Sequence, residues 1–466
     1  MHPPINPLLT TPILPALLRF AWPNLLAMLA TGFAAVAETA YVGSLGVPAL
    51  AGMALVFPMI MLQMMLSGGA MGGGVSSAIS RAWGAGAADR ANALAVHAMW
   101  IGLGIGALTS LLMLNFGPLV YAGLGGQGQA LAEATAYSNV AFFGSISVWL
   151  MNSFASVLRG SGNMVVPSAT FLLVSLVQVL AGGALGLGWG PLPRLGMPGV
   201  AAGQVIAFTG GAAFLFFYLH SSRSKARLSV RATPVRAELL RDILRVGALA
   251  CISPLQSVLT ILILTRLVAQ FGPTALAGYG IGARLEFLLV PIAFAIGVAS
   301  VPLVGMAIGA GNAARARRAA WMAATLAFAL LAPLGLALAI APGLWTRLFT
   351  QDAAVLASAA LYFHWAGPFY GVFGFGLSLY FSSLGAGKVG GPVLAGTLRL
   401  GVVALGGWWL AQAQAQAQAA PWTIFALVAA GMAVYGIATA VAVRCADWSP
   451  RGQEPAGQAP LPQALK

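Results

Sequence analysis

From Leu14 to Val443 the chain is one long apolar stretch after another, separated by short polar turns. Each stretch is near or above the roughly 18–20 residues a helix needs to cross the hydrocarbon of a bilayer. That feature leaves few folds open. A soluble core of this size would need a charged surface to cover it, yet only 7% of the 466 residues are charged and the mean hydropathy is +0.89. A transmembrane β-barrel would show alternating segments of about ten residues, whereas these runs are continuous. The expected class is an all-α integral membrane protein. The first run carries Asn24 and Glu38 and is followed by no small-residue cleavage site, so it reads as a span and not as a cleavable signal.

Helices are predicted at 15–42, 49–80, 91–114, 131–157, 165–188, 198–220, 243–270, 274–308, 313–341, 353–384, 389–411 and 421–444. Fourteen basic residues fall at the even-numbered turns: Arg81, Arg90, Arg159, Arg223, Lys225, Arg227, Arg231, Arg236, Arg241, Arg245, Arg315, Arg317, Arg318 and Lys388. Only Arg194, Arg266 and Arg347 fall at the odd ones. The positive-inside rule therefore puts the even turns and both termini in the cytoplasm, in a bacterial inner membrane. The net charge of +14 sits in these loops, which argues against a nucleic-acid partner. Cys251 and Cys445 lie in different apolar runs and form neither a disulfide framework nor a metal motif.

The chain repeats itself. Gly46 to Gly52 (GVPALAG) recurs as Gly272 to Gly278 (GPTALAG), 226 positions later. Gly84 to Ala91 (GAGAADRA) recurs as Gly309 to Ala316 (GAGNAARA), and Gly160, Gly162 and Pro167 recur as Gly385, Gly387 and Pro392, both 225 positions later. Six spans fit in that interval, an even number, so both copies enter the membrane the same way round. The predicted organisation is a six-helix lobe at 1–220, a cytoplasmic linker at 221–240, a second six-helix lobe at 241–446 and a disordered tail at 447–466. The Ala-Gln run from Ala411 to Ala419 reads as a low-complexity outer loop or helix end. The repeated glycines serve turns and close helix approach, not ligand binding.

These segments resemble the multidrug and toxic compound extrusion (MATE) family, nearest to its bacterial DinF-like branch. The resemblance rests on Glu38-Thr39-Ala40-Tyr41-Val42-Gly43, Gly84-Ala85-Gly86 with Arg90-Ala91, and Leu158-Arg159-Gly160-Ser161-Gly162-Asn163. The second half adds Gly282-Ala283-Arg284-Leu285-Glu286 and Gly309-Ala310-Gly311-Asn312. It implies two lobes around a central cavity, exporting cationic or amphipathic compounds by H⁺ or Na⁺ antiport through alternating access. Two departures stand out. Glu38 occupies a place where much of the bacterial family has Asp, and the acidic residues that some branches carry in helices 7 and 10 are missing. The second departure weakens the case for Na⁺ coupling of that kind.

Of the nine acidic residues, only Glu38 and Glu286 fall well inside predicted spans. An ionised carboxylate at mid-membrane costs about 2.5–3.5 kcal/mol, so such groups are usually paired, protonated or functional. Burial disfavours the charged form of a carboxyl and a nearby cation favours it, which lets one group exchange a proton for a cationic substrate or Na⁺. Glu38 shares a helix stripe with Asn24 and Thr31, seven residues apart. Together with Asn152 these are the candidate coupling residues, with Glu38 the place for any Na⁺. Alternatively Glu38 is a solvated helix end beside Tyr41. Arg284, Glu286 and His364 are the second-lobe candidates. Arg284 and Glu286, at i,i+2, do not face each other, so each is expected to have another partner, in an ion-pair network or in transport.

Ser253, Gln256, Ser257 and Thr260 form a polar face at i, i+3, i+4, i+7, fit either to line a cavity or to glue helices together. Ser145, Asn152 and Ser156 repeat it weakly. Helix 10 is rich in aromatic rings, which attract organic cations at about 0.5–2 kcal/mol each. Tyr362, Phe369, Tyr370 and Phe373 join the polar face as the candidate substrate wall. The leading expectation is a cation-coupled exporter, working as a monomer in the lipid bilayer on an amphipathic or cationic small molecule, with no cofactor beyond the coupling ion. A flippase for a lipid-linked precursor is the alternative; it would need a strongly basic cavity, and the basic residues are mostly in loops. An intramembrane enzyme lacks a metal cluster or a Ser/His pair, and a channel has no need of two repeated lobes.

Overall fold

The computed structural model describes residues 7–229, 233–415, 420 and 422–449. Arg231, the last four residues of the Ala-Gln run and the tail beyond Ser449 lie outside the described residues. The first lobe contains α1 (Ile13–Leu45), α2 (Val47–Gly84), α3 (Ala88–Gly123), α4 (Gly128–Phe143 and Ser145–Gly160, bent by 47°), α5 (Val165–Leu187) and α6 (Met197–His220). The second contains α7 (Ala237–Ala269), α8 (Pro273–Gly309), α9 (Ala313–Ile340), α10 (Ala353–Ala386), α11 (Gly390–Ala415) and α12 (Trp422–Cys445). Among the described residues, eleven helices are long and apolar enough to cross a membrane, and the bent α4 brings the number to twelve. The all-helical, twice-six architecture matches the expectation from the repeat.

The two elbows of each lobe are built alike. Gly86 and Gly311 turn the chain at φ 73° and 75°, and Gly162 and Gly387 at 88° and 69°, a region costly for any residue with a Cβ. Gly160 presses α4 onto α2, where a Cβ would stand 2.8 Å from the Ser76 carbonyl oxygen; Gly385 presses α10 onto α8 in the same way, 2.5 Å from that of Val301. Ser76 and Val301 are themselves 225 positions apart. Between the lobes the repeat partners meet directly. A Cβ on Gly84 would collide with the Met306 backbone, and one on Gly309 with the Arg81 backbone. These crossings of α2 with α8 lie at the face carrying the basic turns.

That basic face is where the lobes are joined. Ser77 of α2 donates to the Leu384 carbonyl of α10, and Arg81 to Ser77. Asp242, at the start of α7, accepts from Arg81 at 2.7 Å and from Arg90 at 3.0 Å, linking the second lobe to the first. The start of α1 crosses over as well: Ala16, Leu17, Phe20 and Ala21 share a core with residues of α8 and α9. The linker is fastened to the first lobe, with Ala226 and Leu228 buried there and the Arg236 N–H donating to His97 Nε2 at 2.8 Å. One expectation needs correcting. The tail does not begin at 447, because Trp448 is buried in the core beside α1, α8 and α9; an indole of that size finds apolar surface to cover even next to a polar terminus.

Candidate functional site

In the first lobe, α1 carries Glu38 against α5. The carboxylate is buried, 4% exposed, and accepts a 2.8 Å hydrogen bond from Gln178 Nε2. Tyr137 of α4 lies within electrostatic reach and donates at 3.4 Å to Gln204 Oε1 of α6. No basic side chain pairs with Glu38 among the described residues. Glu38 is therefore not a solvated helix end. Its expected companions are placed otherwise. Asn24 is buried with Nδ2 unpartnered, Thr31 is exposed and bonds the Ala27 carbonyl at 2.9 Å, and Asn152 donates to Ser67 Oγ at 3.1 Å. None of them bonds Glu38.

Asn152 instead holds α2 where that helix widens into a π turn, Met65–Met71. Ser145 donates to Gln63 nearby at 3.4 Å. Ser156 abuts Gly72 so closely that a Cβ there would collide with its hydroxyl. The weak polar face of α4 thus packs on α2.

In the second lobe, α8, α10, α11 and α12 enclose the other polar group. Glu286, half-buried, accepts from the Tyr362 hydroxyl, and Tyr370 donates to Tyr362 at 3.5 Å. Arg284 is exposed and rests over the Phe349 ring at 5.2 Å, so Arg284 and Glu286 have separate partners, as the i,i+2 spacing predicts. His364 is exposed, because it sits on the side of α10 opposite Tyr362 and Tyr370. Ser253, Gln256, Ser257 and Thr260 line a small void of about 20 Å³ together with Gly396, Arg399 and Tyr435. Gln256 also donates to Thr397 at 2.8 Å, so the stripe both lines a space and ties α7 to α11. Arg399 lies over Phe373 at 5.2 Å and Tyr435 at 5.8 Å, with its Nε unpartnered. Tyr362 and Tyr370 are core residues, while Phe369 and Phe373 are half-buried at its edge.

The repeated elbows and the two matched lobes meet an independent measure here: the MatE family model matches residues 23–182 and again 250–409. The chain belongs to the MatE family. It is therefore a multi-pass membrane transporter and not an enzyme. A FAD transporter of Shewanella oneidensis is 25% identical over 359 residues, covering 76% of this chain and 78% of that protein. A probable multidrug resistance protein, NorM, of Thermotoga maritima is 26% identical over 335 residues, 70% of each chain. Among solved structures, a MOP superfamily transporter from Pyrococcus furiosus superimposes with a TM-score of 0.85 at 20% identity, over 95% of this chain and 98% of its own. An outward-facing multidrug resistance MATE transporter gives 0.84 at 21% identity over the same shares. At those identities the likeness carries the fold.

Several residues of this MatE chain escaped the sequence reading. Gln178, Tyr137 and Gln204 are single polar residues in apolar helices, and only their convergence on Glu38 singles them out. Arg159, assigned to a turn, is in the last turn of α4 and buried. Of Arg266, Arg284 and Arg399 in the second lobe, the first two are exposed and only Arg399 reaches an internal space.

Proposed function

We propose that this transporter exports amphipathic aromatic compounds, cationic ones foremost, in exchange for a proton that binds at Glu38. The observation that carries the proposal is a buried carboxylate with no basic partner among the described residues, bonded to an amide donor and facing a phenol. Such a group is stable either protonated or with a cation beside it, and so links the two. A hard metal cation takes a shell of several oxygens, and Gln178 presents nitrogen, so the arrangement favours H⁺ over Na⁺. α1 supplies the mechanical link, since its far half packs on α5 through Glu38 and its near half packs on α8 and α9 of the other lobe. A change at Glu38 thus bears on the seam that must open if access alternates. With the basic face and the termini cytoplasmic, the lobes as they stand are closed towards the cytoplasm.

Arg399 supports a second substrate reading. An arginine among aromatic rings suits a planar compound bearing an anionic group, and the Shewanella relative is described as a FAD transporter. A lipid-linked diphosphate is not favoured, because Arg266 and Arg284 face outward. The test is efflux from everted vesicles with H⁺ and Na⁺ gradients imposed separately, using ethidium and a flavin as substrates. Ethidium efflux driven by H⁺ alone is expected. Efflux driven only by Na⁺ would overturn the proton reading, and flavin transport without ethidium transport would favour the second substrate class.

A further inference from the structure

A second void, of about 10 Å³, lies at the seam between the lobes near the basic face. One wall is the glycine surface of α2, formed by Gly68, Gly69, Gly72 and Gly73, with Ser76 just beyond. The second wall is Ser156 and Arg159 of α4, and the third is Val298, Val301 and Phe381 of the other lobe. Arg159 is 8% exposed, Ser76 4% and Ser156 1%. The hydroxyls of Ser76 and Ser156 and the Nε of Arg159 have no hydrogen-bond partner among the described residues. No carboxylate pairs with Arg159 among the described residues, and its recorded contact is with the face of Phe171, 5.3 Å away.

A buried guanidinium without a counter-charge is strongly disfavoured. Its position in the last turn of α4 offers the carbonyl end of a helix dipole, which is a partial charge and not a whole one. The groups left unsatisfied are the Nε donor of the cationic Arg159 and two hydroxyls that can turn to donate as well. The space admits little more than one water-sized sphere, far below the roughly 300–1,000 Å³ typical of organic ligand sites, so an occupant is of single-ion size. We propose that this void binds a small inorganic anion of the halide class, held by Arg159, Ser156 and Ser76. Because Val298, Val301 and Phe381 complete the enclosure, the ion is shut in only while the lobes are closed at the basic face, and binding stabilises that state. The repeat sharpens the assignment: Arg159 corresponds to Leu384, so the second lobe has no such charge at the equivalent position.

The full-length purified protein is heated in chloride, bromide or gluconate at constant ionic strength, and crystals grown in bromide are examined for anomalous scattering. The expected results are a melting temperature that rises with chloride and bromide over gluconate, and a bromide peak in the void. The rise should vanish in Arg159→Gln. In the Ser76→Ala/Ser156→Ala double variant, which keeps the charge and so tests the site separately from any folding defect of Arg159→Gln, chloride affinity should fall about tenfold. Equal melting temperatures in all three anions for the wild type, or a void occupied by ordered water without bromide, would overturn the proposal.

Discussion

The two lobes are the same in their joints and different in their charges. Gly84 and Gly309, Gly160 and Gly385, and Gly162 and Gly387 make matching contacts or turns in the two copies. At matching positions, by contrast, Glu38 faces Leu264, Glu286 faces Ile60, and Arg159 faces Leu384. Backbone packing at a turn tolerates no side chain and is tied to the architecture. Charged groups in apolar helices are costly everywhere, and each of these three is kept in one copy only. The first lobe holds a carboxylate bonded to an amide; the second holds a carboxylate bonded to a tyrosine chain, with Arg399 among the rings. The scaffold of this transporter is symmetric, and its buried charges are not.

That contrast can be broken in several places. The largest effect is expected from Glu38→Gln, which should bring H⁺-driven ethidium efflux in everted vesicles to background while the protein still inserts. Leu264→Met, a volume-conserving change at the matching position, should leave efflux intact. Wild-type efflux from Glu38→Gln, with unchanged pH dependence, would remove that residue from the mechanism. Next come Gly84→Ala and Gly309→Ala, each forcing a methyl onto a backbone and each expected to cost about 1–3 kcal/mol in thermal unfolding. A loss at one and none at the other would show that the crossing is not shared. Tyr362→Phe should cost roughly 1–3 kcal/mol, since it leaves Glu286 without its donor; a neutral result would make that bond dispensable. The smallest effect belongs to Asp242→Asn. The bridge is partly exposed, so its loss is worth about 1 kcal/mol or less, read as faster thiol labelling of a Ser80→Cys reporter at the seam.

Much of the scaffold was legible in the sequence because membrane helices and glycine turns leave local signatures. Apolar length marks a span, and three glycine-bearing segments in register mark the repeat. The sites were legible in part. A carboxylate in an apolar run is conspicuous, so Glu38 and Glu286 were named from sequence, as was the stripe on α7. Their pairings were not, because Gln178 stands 140 positions from Glu38 and Tyr362 76 from Glu286, and no periodicity links them. Thr31 shows the reverse failure: a seven-residue spacing puts it on the right stripe, yet its hydroxyl is satisfied by its own helix. Arg159 was read as a turn residue because an arginine beside a glycine elbow looks like a loop, and only the packing of α4 on α2 shows it to be enclosed.

The crossing of Gly84 and Gly309 has a consequence for how such a chain is assembled. Each copy spans the membrane an even number of times, so each leaves the bilayer on the side where it entered and can be inserted as a unit. The two units then meet through the same surface on both, as the subunits of a two-fold dimer do. The interface is written once and used twice, and the six-helix half is the smallest piece that carries the whole of it.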